Sequence, residues 1–187
     1  MKNLFRPAFG FTLFFMLLTG IAYPLAITGA AQILFPAAAN GSLVEVKGVV
    51  IGSALIGQTF ASDRYFHGRP SAAGKDGYDA TASSGTNLAT SSKALVDAVK
   101  QRVADLGGGP VPADLVTSSA SGLDPDISPA SALWQVARVA KARSLPEEAV
   151  KNLVAAQTLG PQLGFLGDPR VNVLALNMEL DRINAAP

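Results

Sequence analysis

The sequence contains no cysteine, only one histidine (His67), and no charged side chain between Pro7 and Val44. The first absence excludes disulfides, thiol catalysis and thiolate metal sites. The second confines any histidine-based chemistry to a single position. Charge imbalance is missing too: 15 Lys+Arg face 14 Asp+Glu, a formal charge of +1, so the chain lacks the basic footprint of a nucleic-acid-binding protein. Lys2 and Arg6 are the only charged residues before Glu45. From Glu45 onward the chain is balanced in charge and reads as an ordinary soluble domain.

The charge-free stretch holds an apolar run from Phe9 to Phe35, broken only by Thr12, Thr19, Thr28, Gln32 and small residues. As a helix it is about 40 Å long, enough to cross a hydrocarbon core of about 30 Å. Ala37-Ala38-Ala39 looks like a signal-peptide cleavage site, after which a secreted form would begin at Asn40. The run is far longer than the roughly 7–15 apolar residues of a signal peptide, so it reads as an uncleaved anchor. Lys2 and Arg6 precede it without an acid, while Glu45 and Lys47 come after it and cancel. The positive-inside rule then puts the N-terminus in the cytoplasm and the rest outside. Pro24, mid-span, predicts a kink. Ala22, Ala26 and Ala30, with Gly29 beside them, form a small-residue face suited to close packing of a partner helix.

The chain divides into a short cytoplasmic N-terminus (1–8), a transmembrane helix (9–35), a linker (36–47) and one extracytoplasmic domain (48–187). In the domain, Val49-Val50-Ile51 through Phe60 reads as one or two strands. Residues 67–90, rich in Gly, Ser, Ala and Asn, read as a long structured loop and a candidate contact surface. A helix is expected from Ser91 to Leu106, with Leu95, Val99, Val103 and Leu106 on one face and Gly107-Gly108-Gly109-Pro110 as its stop. A second comes after Ser128 as N-cap and Pro129, with Leu133, Val136, Ala137 and Ala140 inward. A third opens at the capping-box pattern Ser144-Leu145-Pro146-Glu147. The last begins near Asn172 with Val173, Leu176, Leu180 and Ile183 at helical spacing. The pattern predicts an α+β domain with few strands.

Motifs that carry chemistry are scarce. Gly52-Ser53-Ala54-Leu55-Ile56-Gly57-Gln58-Thr59 has the glycine spacing of a phosphate-binding loop, but Gln58 stands where that loop needs lysine. A bulged strand pair is the better reading. Asp124-Pro125-Asp126 offers two carboxylates, a poor cation site, and reads as turn and cap residues. No serine lies in the G-x-S-x-G elbow of a hydrolase, which counts against an extracytoplasmic hydrolase using His67, the alternative from another functional class. Trp134 is either a core edge or an interface anchor. Gln135, Arg138 and Arg143 line the polar side of its helix. The chemistry points to a binding or scaffolding domain.

Seven segments, in order behind one N-terminal span, resemble the C-subunit family of the Kdp potassium-transporting P-type ATPases. They are Gly52-Ser53 with Leu55-Ile56-Gly57-Gln58 and Phe60, Tyr65-Phe66-His67-Gly68-Arg69-Pro70-Ser71-Ala72, Ala82-Ser83-Ser84-Gly85-Thr86-Asn87-Leu88, Val111-Pro112-Ala113-Asp114-Leu115-Val116-Thr117, Ser121-Gly122-Leu123-Asp124-Pro125, Gln135-Val136-Ala137-Arg138-Val139-Ala140 and Arg170-Val171-Asn172-Val173-Leu174. Local departures are Thr86 for serine, Ala89-Thr90 for Gly-Pro, Ala120 for glycine and Asp126 for histidine. The resemblance implies a non-catalytic subunit in the bacterial inner membrane. Its implied partners are a potassium-translocating subunit, an ATP-hydrolysing subunit and a small fourth subunit. It also implies a catalytic chaperone that raises the ATP affinity of the hydrolysing subunit, with Gln135 matching a glutamine proposed to touch nucleotide. No intrinsic cofactor is implied. The flanking charges put the domain away from cytoplasmic ATP and favour a mechanical role, with the span packed on the translocating subunit. Tyr65, Phe66, Arg69, Asn87 and Trp134 are the candidate interface residues of the domain.

Overall fold

A computed structural model describes residues 2–185, which divide at Leu43/Val44 into two compact units. In the N-terminal unit, helix α1 (Lys2–Leu17) runs through a π-helical turn (Leu18–Ala22) into α2 (Tyr23–Leu34). Within it, Leu4–Leu34 form a 31-residue stretch long and apolar enough to span a bilayer. The irregularity expected from Pro24 takes the form of this π turn just ahead of it. Proline has no N–H for the carbonyl one turn back, and a π-helical turn is one way to absorb the mismatch. Thr19 donates its hydroxyl to Phe15 O at 2.6 Å within the same region. A single-turn helix α3 (Pro36–Ala39) comes next. Asn40 and Gln32 then exchange reciprocal carboxamide hydrogen bonds of 3.1 and 3.2 Å. An amide near the end of an apolar helix is thereby paired.

The second unit opens with a hairpin, β1 (Leu43–Val46) and β2 (Val49–Ser53), joined by Lys47 and Gly48 at φ 52° and 78°. Two residues of positive φ are what a tight hairpin turn requires. After a long irregular stretch come α4 (Lys93–Asp105), a 3₁₀ turn (Ala113–Leu115), β3 (Asp126–Ile127), α5 (Pro129–Arg143) and α6 (Glu147–Ala156). The remaining elements are β4 (Thr158–Leu159), β5 (Arg170–Asn172) and α7 (Val173–Ala185). Strands β3, β5 and β4 form an antiparallel sheet in that order. The mixed helix-and-sheet expectation holds. This second sheet escaped the sequence reading because strands of two or three residues show no alternation.

The core lies where α5, α6 and α7 meet β5, around Val136, Val139, Val150, Val154, Leu176 and Leu180. Two local expectations need correction. On α5 the inward face is Ala132, Val136, Val139 and Ala140, whereas Leu133 and Ala137 are exposed. The capping box at Ser144 does not form: Ser144 adopts φ 56° as the left-handed C-cap of α5, and Pro146 precedes α6. The face of α4 is correctly placed, but Leu95, Val99, Val103 and Leu106 are only half-buried. Asn172 begins α7 as expected, its Oδ1 accepting from Ala175 N at 3.0 Å, although Ile183 is exposed.

Candidate functional site

The long stretch between β2 and α4 has few backbone partners of its own, so helix side chains supply them. From Asp63 to His67 every carbonyl accepts a hydrogen bond from α5 or α7. Arg138 reaches Asp63 O (2.8 Å) and Tyr65 O (3.1 Å), and Arg143 reaches Arg64 O (2.6 Å). Asn177 donates to Phe66 O (3.0 Å) and accepts from Phe66 N (2.8 Å). Gln135 donates to His67 O (3.0 Å) and accepts from His67 N (2.8 Å). Two carboxamides on different helices thus pair with consecutive residues as a neighbouring strand would. The strap 63–69 is held between α5 and α7 with Phe66 fully buried beneath it.

Gln135 is itself 2% exposed, and its oxygen also accepts from Arg138 at 2.7 Å. Both ends of this amide are thus engaged within the fold, by the strap and by Arg138. At the start of the strap, Arg143 lies 4.7 Å over the Tyr65 ring and 2.7 Å from Asp181. The Tyr65 hydroxyl donates to the same carboxylate at 3.1 Å. Beyond the strap, Arg69 pairs with Asp124 at 3.1 Å, and the Tyr78 hydroxyl donates to Arg69 O at 2.6 Å. Ser71 donates to Gly122 O at 2.6 Å, which joins the loop 67–90 to the segment before β3.

A cleft of about 230 Å³ opens beside the strap, lined by His67, Arg69, Arg102, Trp134, Gln135 and Arg138 among others. Half-buried Trp134 therefore sits on a wall of this cleft. The cleft brings together Arg69, Gln135 and Trp134, the Tyr65 ring lies instead against Arg143 and Asp181, and Asn87 is exposed with φ 53°. Phe66 belongs to the core and offers no surface. Ala22, Ala26, Gly29 and Ala30 are all exposed along the N-terminal helix. The sequence reading missed Asn177, whose signal was an amide inside the apolar face of α7. It also missed Asp181, which only the fold brings to Tyr65 and Arg143.

Burial, and then the neighbouring Arg138 cation, lower the pKa of His67. Its Nε2 lies 3.1 Å from Ser62 O and 3.5 Å from Arg138 Nη1, which lends no support to a hydrolase role. Burial works against the charge of Asp114, but hydrogen bonds from Ser131 and Ser128 hold its pKa below the usual value. That carboxylate anchors the N-terminus of α5. Asp126 pairs with Arg170 at 3.1 Å, and Asp124 accepts from Asp126 N at 3.1 Å, the turn chemistry expected of Asp-Pro-Asp. No group of three or more metal-ligating side chains occurs among the described residues. The phosphate-loop-like segment is a tight turn closed by a Ser53–Ile56 bridge. Its Gly57 answers a packing need: a Cβ there would lie 2.5 Å from the Tyr78 ring and 2.6 Å from Asp124 O.

The family described as KdpC, the c chain of the K⁺-transporting ATPase, matches residues 5–182. The chain belongs to the KdpC family. It is similar to the potassium-transporting ATPase KdpC subunit of Gemmatimonas aurantiaca, with 60% identity over 96% of this chain and 93% of that protein. The KdpC subunits of Variovorax paradoxus and Acidobacterium capsulatum are 56% and 55% identical, covering 100% and 97% of this chain and the full length of each relative. Both the apolar helix and the strap-bearing unit thus lie within the KdpC match.

Proposed function

We propose that this chain is the accessory subunit of a potassium-transporting ATPase, acting by contact with its partners rather than by chemistry of its own. The membrane-spanning helix would anchor it in the bacterial inner membrane, N-terminus in the cytoplasm and folded unit outside. The face of Ala22, Ala26, Gly29 and Ala30 would pack on the potassium-translocating subunit, and the folded unit would cap or shape its entrance. The observation that carries this reading is the family match running through both the apolar helix and the folded unit. The strap supports it: the polar side chains of α5 and α7 are engaged in holding backbone, which makes a rigid platform. In this reading Gln135 acts through the strap, and any gain in ATP affinity reaches the hydrolysing subunit mechanically through the assembled complex.

The test is an affinity-tagged copy purified in mild detergent from potassium-starved cells, with mass identification of what accompanies it. The expected companions are a large polytopic potassium-translocating subunit and a P-type ATPase. Recovery of the tagged chain alone would overturn the subunit reading.

A further inference from the structure

Within the described apolar helix, the Thr19 carbonyl has no backbone donor. In the π-helical turn Leu18–Ala22, Tyr23 N donates to Leu18 O, one residue further back than in an α-helix. Thr19 O thereby loses the partner that an α-helix would give it. The π-helical register passes this carbonyl on to residue 24, which is proline and has no N–H. Thr19 is also the midpoint of the apolar stretch Leu4–Leu34, roughly 22 Å from either end along the helix. Neither water nor headgroups reach that depth of a bilayer, and acyl chains donate no hydrogen bond. Gly20 leaves the approach to the turn open, since a Cβ there would meet nothing within 4 Å.

Resting on the subunit reading above, we infer that Thr19 O accepts a hydrogen bond from a hydroxyl or carboxamide side chain on a transmembrane helix of a companion subunit. A carbonyl left unpaired in hydrocarbon is costly, so a spanning helix interrupted at proline must find its donor elsewhere. The chain's own hydroxyl at this level is spent, because Thr19 donates it to Phe15 O at 2.6 Å. A second copy packed alongside brings the same committed hydroxyl to this depth. That leaves it Tyr23, whose ring would hold the two helices apart at a turn that Gly20 and Ala22 open to close approach. A companion helix with Ser, Thr, Asn or Gln at mid-bilayer meets both requirements, closeness and a donor. Because the acceptor is a single backbone atom, the bond also fixes the depth at which the two helices meet.

The test uses the whole complex in native membranes. A photo-reactive side chain at exposed Ile21, in the same turn, is illuminated and the cross-linked peptide identified by mass. The expected cross-link falls on a transmembrane helix of a companion, beside a hydroxyl or carboxamide residue. A cross-link to a second copy of this chain, to lipid alone, or to a helix with no such residue there overturns the inference. Failure of any companion to co-purify defeats the subunit reading instead. Replacing the companion's donor with alanine is expected to speed dissociation of the assembly about 3- to 20-fold, the span of measured hydrogen bonds between membrane helices. Pro24→Ala supplies the missing N–H from within the chain, so in that background the same replacement should change nothing. Equal effects in both backgrounds would mean that the companion residue acts by shape and not through Thr19 O, which also overturns the inference. Should Pro24→Ala fail to assemble, Pro24→Gly takes its place, since it supplies the same N–H and leaves the helix able to bend.

Discussion

At the scale of single residues, the strap makes the sharpest predictions. Replacing Gln135 with leucine keeps most of its volume but leaves His67 N–H and C=O without their partners. A buried backbone group left unpaired costs about 1–3 kcal/mol, so a loss of about 2–5 kcal/mol is expected, read by denaturant unfolding through Trp134, the chain's only tryptophan. Asn177→Leu should cost a similar amount through Phe66. Because the two amides hold adjacent residues, the double variant should lose less than the sum. A strap that contributes no stability would leave both single variants like the parent. His67 supplies a pH signature. Its folded pKa lies below 6.5, so the unfolded chain takes up a proton first as pH falls through that value. Stability contributed by the neutral imidazole is therefore full above 6.5 and is lost as pH drops toward the lower folded pKa. Unfolding curves of His67→Gln should show less of this slope below pH 6.5. An unchanged slope would locate the dependence elsewhere.

At the scale of elements, two junctions decide how the helices are placed. Ser144 ends α5 in the left-handed region, where glycine is the unstrained choice. Ser144→Gly should stabilise the chain by about 0.5–1 kcal/mol, raising the melting temperature by a few degrees. No gain would mean that Ser144 bears no strain there. Gly122 is held by the opposite requirement. A Cβ there would lie 2.5 Å from Ser84 O and 2.8 Å from Ala73 N, at φ 67°. Gly122→Ala is thus expected to push apart the loop 67–90 and the segment before β3. Gly107→Ala, whose Cβ meets open space, should be the milder change in the same thermal scan. Equal losses would show that backbone strain alone, without the close approach, sets the cost.

At the scale of the whole molecule, the prediction concerns the membrane. The absence of native cysteine permits a clean accessibility test. A single cysteine at exposed Lys151 is expected to react with a membrane-impermeant maleimide added to intact spheroplasts. Labelling only after lysis would reverse the orientation and place the folded unit beside cytoplasmic ATP.

The long apolar helix, the helices of the folded unit and the family are legible in the sequence alone, because each is written in local or ordered patterns. A long apolar run needs no tertiary context to be read, and neither does the helical spacing of Val173, Leu176 and Leu180. What the polar residues of those helices do follows from the fold. Gln135 and Asn177 lie on different helices far apart in the chain, yet they meet consecutive residues of one strap. No periodicity records that meeting, since it arises when a segment without a ladder of its own is buried and its backbone must find partners. The same holds for the two- and three-residue strands, which exist because the helices around them leave backbone to be paired.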